Sequence, residues 1–402
     1  MKLACIESMS FLKKVSKCLL IVFVISIVVP SCSSGSDDVV FVTPDPEPTP
    51  EPTPTPDPNA LTAKEITAAM SAGFNLGNTF ENGNNTCTLA SVKPIIDLYA
   101  GAGMKHVRIP TTWMDRFTAS DHLADDNGTL NTNNTRFIEL VKVIDYAISK
   151  DLYVVLNTHH EHWLKDNYDG SAAFDTKFSN LWTGIATYFK DYSQHLIFEV
   201  LNEPEGNLGE WDGNGPFPDP TSSTALSYVR KVNKVGYDAI RAAGGNNATR
   251  LIMVSTNAQG NEVMIEEVYP NKASLPGGGT DKYLAIQVHS YNPWSFCGQT
   301  GSNSAFPGTA SIETAIKKVG THSRLLDVPV NYGEFGVGRD GSAASPSSER
   351  NTDLVRGYYK TYDDTTISQQ MSYSVWDDRG WFGLINSAGT TFTNNIVPYM
   401  LQ

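Results

Sequence analysis

The feature that most constrains the fold is a repeated alternation of short apolar runs with longer amphipathic stretches between residues 60 and 402. Short apolar runs bounded by turn residues are typical of buried strands. Apolar residues at three- and four-residue steps are typical of helices that pack on a sheet. We predict eight strands, at residues 73–76, 106–109, 153–157, 196–201, 251–255, 284–288, 329–332 and 372–376.

Helix-like segments separate the predicted strands, and this order is typical of βα units around a parallel sheet. Eight such units fit a single (β/α)8 TIM barrel of the α/β class, which typically needs about 250 residues and tolerates long loop insertions. A doubly wound open sheet is the alternative, but no glycine-rich phosphate turn follows the first strand. The predicted helices are residues 92–102, 136–149, 178–190, 225–243, 312–321 and 352–362.

The first 32 residues have the form of a secretory signal. Three lysines between residues 13 and 17 precede an apolar run that ends shortly before Cys32, which is the order expected of a signal peptide. The run is shorter than the ~20 residues of a membrane-spanning helix. We predict a lipoprotein-type signal peptide at residues 1–32, lipidated at Cys32. An ordinary cleaved signal and a membrane-spanning helix are the alternatives, and translation starts at either Met1 or Met9.

Residues 33–59 form a second segment that cannot build a core, with proline at every second position from 44 to 58. Because proline fixes φ and removes a backbone donor, this segment is predicted to be an extended, disordered linker. Together with the signal it predicts an outer-membrane lipoprotein, anchored by lipid to the membrane and exposed at the surface of a Gram-negative bacterium. A secreted or periplasmic protein is the alternative. We expect a monomer.

Charge and cysteine usage exclude some classes of function. The formal net charge of −13 gives no basic surface for a nucleic acid. Cys87 and Cys297 are far apart in the sequence and lack metal-ligand spacing, so we expect neither a metal nor another cofactor. We expect two unpaired thiols, and one disulfide in an oxidising compartment is the alternative.

Polar and aromatic residues follow the predicted strands, whose C-terminal ends converge on one face of a (β/α)8 barrel. Taken singly, each is a weak signal. A carboxylate at a strand end is more often a helix cap or an ion-pair partner, and a lone histidine or arginine is more often structural. Their joint placement favours a catalytic site. The residues are Arg108, His159, His160, Asn202, Glu203, His289, Tyr291, Glu334 and Trp376.

Two of these residues, Glu203 and Glu334, are suited to cleaving a glycosidic bond. That reaction needs one carboxyl group to protonate the leaving oxygen and a second to attack the sugar or to activate water. Glu203 and Glu334 follow the fourth and seventh predicted strands, so we expect them to face each other across the barrel mouth. The distance between the two groups separates retaining from inverting enzymes, and the sequence leaves that distance open.

Ordered motifs over nearly all of residues 60–402 resemble glycoside hydrolase family 5, in particular its bacterial endoglucanase and xyloglucanase subfamily 4. The resemblance implies a retaining mechanism by double displacement, with Glu203 as general acid/base and Glu334 as nucleophile. The motifs are GFNLGNT at 73–79, VRIP at 107–110, NTHHE at 157–161, NEP at 202–204, HSY at 289–291, GEFG at 333–336 and FGLIN at 382–386.

The resemblance also implies supporting roles. Arg108 and Tyr291 are expected to keep Glu334 ionised, and repulsion from Glu334 is expected to keep Glu203 protonated at rest. Asn202 would donate to the 2-hydroxyl of the attacked sugar. Trp376 would form the floor beneath that sugar. Three histidines would bind neighbouring hydroxyls and orient the carboxylates: His159, His160 and His289.

Five further tryptophans lie in loops after the predicted strands and could stack on sugar rings along an open cleft. Burial in the core is the alternative for each, because tryptophan is usually largely buried. These candidates are Trp113, Trp163, Trp211, Trp294 and Trp381.

Two positions depart from the family pattern. Residues 377–380, with the sequence DDRG, replace a shorter turn, and Arg379 is expected to alter the sugar subsite there. Ser290 stands where an aromatic or small residue is common, a change that we expect to be harmless.

The sequence therefore predicts an endo-β-1,4-glucanase that hydrolyses internal bonds of a plant cell-wall polysaccharide. The same machinery acting on xyloglucan, mannan or mixed-linkage glucan is the nearest alternative, because loops that the sequence does not place decide the substrate. A surface glycan-binding lipoprotein without catalysis is the non-enzymatic alternative. The intact pair Glu203 and Glu334 argues against it.

Overall fold

The computed structural model describes residues 59–82, 87–115, 122–211, 215–338 and 352–402. The predicted signal peptide with Cys32 lies outside the described residues, as does the predicted linker except for Asn59. In the described part of the chain, no helix combines the length and the apolar character needed to cross a lipid bilayer.

Eight parallel strands close into a barrel in which each strand pairs with the next and the last pairs with the first. This confirms the predicted (β/α)8 architecture. The strands are β1 (Ala72–Asn75), β2 (His106–Ile109), β3 (Tyr153–Asn157), β4 (Leu196–Glu199), β5 (Ile252–Ser255), β6 (Leu284–Ser290), β7 (Val330–Phe335) and β8 (Ser372–Val375).

Eleven α-helices are present in the described ranges, and at least one follows every strand. The six predicted helices correspond to α2, α3, α5, α6, α9 and α10. The five that the sequence analysis missed have eight residues or fewer, which leaves too little periodicity to detect. The helices are α1 (Ala63–Met70), α2 (Leu89–Gly101), α3 (Thr135–Ser149), α4 (His162–Lys165), α5 (Ala172–Tyr188), α6 (Ser223–Ala242), α7 (Ile265–Val268), α8 (Trp294–Cys297), α9 (Thr309–Leu326), α10 (Asp353–Ser368) and α11 (Ile396–Met400).

Helix α1 closes the N-terminal end of the barrel. It begins with a capping box, in which the Thr62 side chain accepts from the Glu65 backbone and the Glu65 carboxylate accepts from the Thr62 backbone. The last residue of α1, Met70, accepts a hydrogen bond from the His106 ring at the start of β2, at 2.8 Å. The apolar face of α1 packs on barrel residues Val155, Ile197, Leu251, Met253 and Ala285.

Strands β6 and β7 are irregular where they carry site residues. The register shifts between Val288 and His289 in this pair, and again in the pairing of β7 with β8. A Cβ at Gly333 would lie 1.9 Å from Gln287 Nε2, so only glycine fits this close approach. The strand was predicted from the sequence to end at residue 332. The strand instead continues to Phe335 and contains Glu334.

Candidate active site

Glu334 is held from two sides at the C-terminal end of the barrel. Arg108 Nη1 lies 2.7 Å from Glu334 Oε1, and the Tyr291 hydroxyl donates to Oε2 at 3.0 Å. Burial and the charge of Glu203 raise the pKa of Glu334 above its usual range, and the Arg108 guanidinium acts in the opposite direction. Two donors that favour the charged form make Glu334 the more readily ionised member of the carboxyl pair.

Arg108 is itself fixed by Glu199, a residue that the sequence analysis did not select. Arg108 Nε and Nη2 bind the two Glu199 oxygens at 2.6 and 2.8 Å, and all of these groups are buried. Although burial opposes ionisation, the Arg108 guanidinium lowers the pKa of Glu199. A carboxylate at the end of an apolar strand needs a buried cation, and that requirement was the signal available in the sequence.

Asn202 has one half of its amide occupied and the other half free for a ligand. Its oxygen accepts from Arg108 Nη2 at 2.6 Å. Its Nδ2 is buried and has no hydrogen-bond partner. An unsatisfied buried donor is costly, so this donor is suited to a hydroxyl that arrives with the substrate.

Glu203 follows β4 with its backbone in the left-handed region, at φ +43°, a conformation that costs energy for any residue other than glycine. Its Oε1 lies 2.9 Å from His289 Nδ1. Burial raises the pKa of Glu203 to about 7, and the charge of Glu205 is the next largest cause. The expected repulsion between the two carboxyl groups is present as well, since the charge of Glu203 raises the pKa of Glu334.

His289 is positioned as a neutral donor to Glu203. Burial lowers the pKa of His289 to about 4, so the ring carries one proton near neutral pH. The Gln287 amide nitrogen contacts His289 Nε2. Because the amide N–H donates there, the ring proton lies on Nδ1 and points to Glu203. Gln287 is a second supporting residue that the sequence analysis missed.

The two carboxyl groups are close together. One oxygen of Glu203, one of Glu334 and one His289 nitrogen all lie within 4.8 Å of one another. Retaining glycosidases hold their carboxyl groups ~5 to 5.5 Å apart, and inverting enzymes leave ~6.5 to 9.5 Å for a water. The separation fits the retaining course. The three groups could also be considered as metal ligands, but the Arg108 guanidinium, 2.7 Å from Glu334, already supplies the local positive charge.

His159, His160 and Trp376 gather on the same face. The His159 ring is parallel to Trp376, with centroids 6.3 Å apart, and meets the His160 ring edge-on at 4.5 Å. Burial lowers the pKa of both histidines, that of His160 to about 3. Both are therefore neutral near pH 7 and can donate to or accept from sugar hydroxyls.

Two of the five predicted stacking tryptophans are engaged in packing. Trp113 is completely buried and donates to the Asn157 carbonyl at 2.8 Å, so the prediction of sugar stacking is wrong for Trp113. Trp163 is half-buried, stacks on Phe174 and has Lys177 Nζ 4.3 Å from its ring centroid. These neighbours leave Trp163 poorly suited to sugar stacking.

The other three tryptophans are exposed. The exposed fractions are 51% for Trp211, 60% for Trp294 and 42% for Trp381. Trp294 lies edge-on to Tyr291 with ring centroids 6.3 Å apart, which places it beside the partner of Glu334. An exposed indole is what stacking on a pyranose face requires.

The two departures from the family pattern have structural contacts. Arg379 donates to the Gly77 and Asn78 carbonyls at 2.5 and 2.9 Å, which ties the loop after β8 to the loop after β1. The observed hydrogen bonds of the Arg379 side chain are therefore with backbone carbonyls. The expected effect of Arg379 on a sugar subsite stays a prediction. Ser290 donates to buried Glu262 at 2.6 Å.

Among the described residues, no disulfide joins Cys87 to Cys297, which agrees with the expectation. Burial raises the pKa of Cys87 to about 12, so this thiol stays protonated.

The barrel with two close carboxyl groups at its C-terminal face defines a protein of the glycoside hydrolase class. Within that class, the family model for Cellulase (glycosyl hydrolase family 5) matches residues 68–378, which is more than half of the chain. The chain belongs to glycosyl hydrolase family 5.

Known relatives agree with this assignment. Endoglucanase A from Clostridium longisporum is 34% identical over 355 residues, which cover 81% of this chain and 62% of that protein. The chain thus spans less than two thirds of this relative's length. The structure of a GH5-4 broad specificity endoglucanase from Clostridium longisporum matches with a TM-score of 0.69 and 27% identity, over 85% of this chain and 98% of that one. ZgEngAGH5_4 in complex with a cellotriose matches with a TM-score of 0.68, the same identity and the same coverage.

Proposed function

We propose that the protein is a retaining endo-β-1,4-glucanase. The observation that carries the proposal is the approach of Glu203 and Glu334 to within 4.8 Å at the C-terminal face of the barrel. Relatives that are endoglucanases, and a similar structure that holds a cellotriose, support a β-1,4-glucan as the substrate.

In the first step, Glu334 attacks the anomeric carbon while Glu203 gives its proton to the leaving oxygen, so the glycosidic bond breaks and a glycosyl ester forms. Arg108 and Tyr291 hold the attacking carboxylate in place. The Asn202 Nδ2 group donates to the sugar 2-hydroxyl, an interaction that strengthens in the transition state of such reactions.

In the second step, water replaces Glu334 at the anomeric carbon and gives its proton to Glu203. Esterification removes the charge of Glu334, which lowers the repulsion against a Glu203 anion and allows Glu203 to act as a base. The His289 Nδ1–H, 2.9 Å away, stabilises that anion. Two inversions at one carbon give a product that retains the β configuration.

The test is a panel of soluble cellulose, xyloglucan, mannan and mixed-linkage glucan, assayed with the wild type and Glu334→Gln. We expect depolymerisation of a β-1,4-glucan, and a loss of several powers of ten in the variant. Proton NMR should detect the β-anomer as the first product. An α-anomer as the first product, or an active variant, would contradict the proposal.

The pH dependence gives a second test. Because Glu203 must carry a proton and burial raises its pKa to about 7, kcat/KM should fall as the pH rises above about 7. Glu203→Gln should remove this limb for aryl glycosides whose leaving groups need no protonation. Persistence of the limb in that variant would assign it to another group.

We also propose that the protein is anchored to the outer membrane through a lipid on Cys32, with the proline-rich linker as a spacer. The order of basic segment, apolar segment and cysteine supports this. Metabolic labelling with a fatty-acid analogue should mark the wild type and not Cys32→Ala, and equal labelling of both would contradict the anchor.

Light scattering of the barrel domain should give the mass of a monomer.

A further inference from the structure

A group of charged side chains lies next to the acid/base and has no part in the mechanism described above. Lys165, at the end of α4, has a completely buried side chain, and its Nζ lies 3.4 Å from Glu205 Oε1. His162 Nε2 is 3.8 Å from the same oxygen. Glu205 Oε2 accepts from Gln259 at 3.2 Å. Glu205 is therefore held on both oxygens, and only Pro204 separates it from Glu203 in the sequence.

The buried cations around Glu203 pose a problem for a general acid. Lys165 and Arg108 both stabilise the charged form of Glu203 and lower its pKa. If these cations made Glu203 ionise at the working pH, it would have no proton to give to the leaving oxygen. Glu205 acts in the opposite direction, since its charge raises the pKa of Glu203. Burial opposes the ionisation of Glu205, but Lys165 and the other donors lower its pKa, so Glu205 is the anion of the group.

We propose that Glu205 is a positioning residue that balances the charge of Lys165 and so keeps Glu203 protonated between turnovers. The inference rests on the proposed function, because it requires Glu203 to be the general acid. The direct contact of Glu205 with Lys165 and its position beside Pro204 carry it.

Other titratable groups face this pair and are left unchanged in the test. His162 is bound at Nδ1 by Asp115 at 2.9 Å, and this contact raises the pKa of His162. The groups that face Glu203 or Glu205 from other elements are Arg108 on β2, His160 and His162 after β3, His289 and Tyr291 at β6, and Glu334 on β7.

The experiment compares the pH profile of kcat/KM for the wild type, Glu205→Gln, Lys165→Met and the double variant. We expect Glu205→Gln to move the alkaline limb to lower pH by about one unit, the size of effect that one neighbouring charge has on a buried group. Lys165→Met should move the limb to higher pH, and the double variant should return it toward the wild type. A loss of rate at every pH without opposite shifts would overturn the proposal.

A readout independent of activity keeps the test decisive if a variant is poorly active. Carbon-13 NMR of the Glu203 carboxyl group follows its titration directly, and Glu205→Gln should lower the midpoint by the same amount. An unchanged midpoint in a folded variant would overturn the inference. Failure of the proposed function is distinct, because full activity of Glu203→Gln would remove Glu203 as the acid whatever Glu205 does.

Discussion

At the scale of single residues, the exposure of each indole side chain decides which tryptophans can stack on a sugar ring. Trp113 and Trp294 both follow predicted strand ends, and both were predicted to stack on sugar rings or to lie in the core. Trp113 is completely buried, whereas Trp294 is 60% exposed beside Tyr291. The first therefore contributes to stability, and the second is available to bind substrate.

Substitution of the two tryptophans should separate these effects. Trp294→Ala should raise KM for the polysaccharide several-fold and leave the free energy of unfolding unchanged, because it removes only an exposed stacking surface. Trp113→Ala should lower the free energy of unfolding by about 3–5 kcal/mol, because it leaves a large cavity in the core. Steady-state kinetics and denaturant titration measure both quantities. Similar stability losses in the two variants would refute the distinction.

The residues that could be predicted from the sequence are those that directly follow a predicted strand, such as Glu203 and His289. Their order along the chain already places them on one barrel face. Glu199 and Gln287 lie inside the predicted strands at 196–201 and 284–288. The buried charge of Glu199 was the one signal available in the sequence, whereas the contact of Gln287 with His289 lies where the pairing of β6 with β7 is irregular.

At the scale of the secondary-structure elements, the irregular pairing of β6 with β7 orients the site. Gly333 lets the two strands approach at Gln287, and Gln287 in turn contacts His289. The glycine is therefore connected to Glu203 through two side chains. A glycine inside a strand commonly marks a bulge or a close approach, and here it marks both.

Gly333→Ala should impair activity more than stability. The added methyl group would displace the Gln287 amide, so the His289 ring would lose its fixed orientation, and kcat should fall by about tenfold or more. The matched control is Gly357→Ala in α10, where a Cβ meets nothing within 4 Å. That change should leave kcat unchanged and stabilise the fold by up to about 1 kcal/mol. Equal kcat in both variants would contradict the role of Gly333.

At the scale of the whole molecule, buried titratable groups set the pH range of stability. Burial lowers the pKa of His106 and His289 to about 4 and that of His160 to about 3. These histidines stabilise the fold above their unfolded pKa of about 6.5, and this contribution is lost as the pH falls through about 4. Burial raises the pKa of Glu81 and Glu161 to about 7. Their contribution is present below about 4.5 and is lost as the pH rises through about 7.

The free energy of unfolding should therefore be greatest between about pH 4.5 and 6.5 and fall on both sides. Denaturant titrations at pH 3.5, 5.5 and 8 measure this profile. Glu81→Gln, which removes one buried acid far from Glu203 in the sequence, should reduce the loss on the alkaline side. The surface change Glu313→Gln serves as control. A stability that rises steadily from pH 5.5 to 8 would contradict the assignment.

Because α1 closes one end of the barrel, the two ends of the barrel have separate roles in stability and in substrate binding. One end is sealed by Ala63, Ile66 and Met70 against the strands, and it maintains the fold whichever sugar is bound. The opposite end holds the reactive groups and the loops that follow the strands. Selectivity for the sugar can therefore be changed by exchanging loops at the C-terminal end while the N-terminal end stays unchanged. The fold is for this reason well suited to engineering for new glycans.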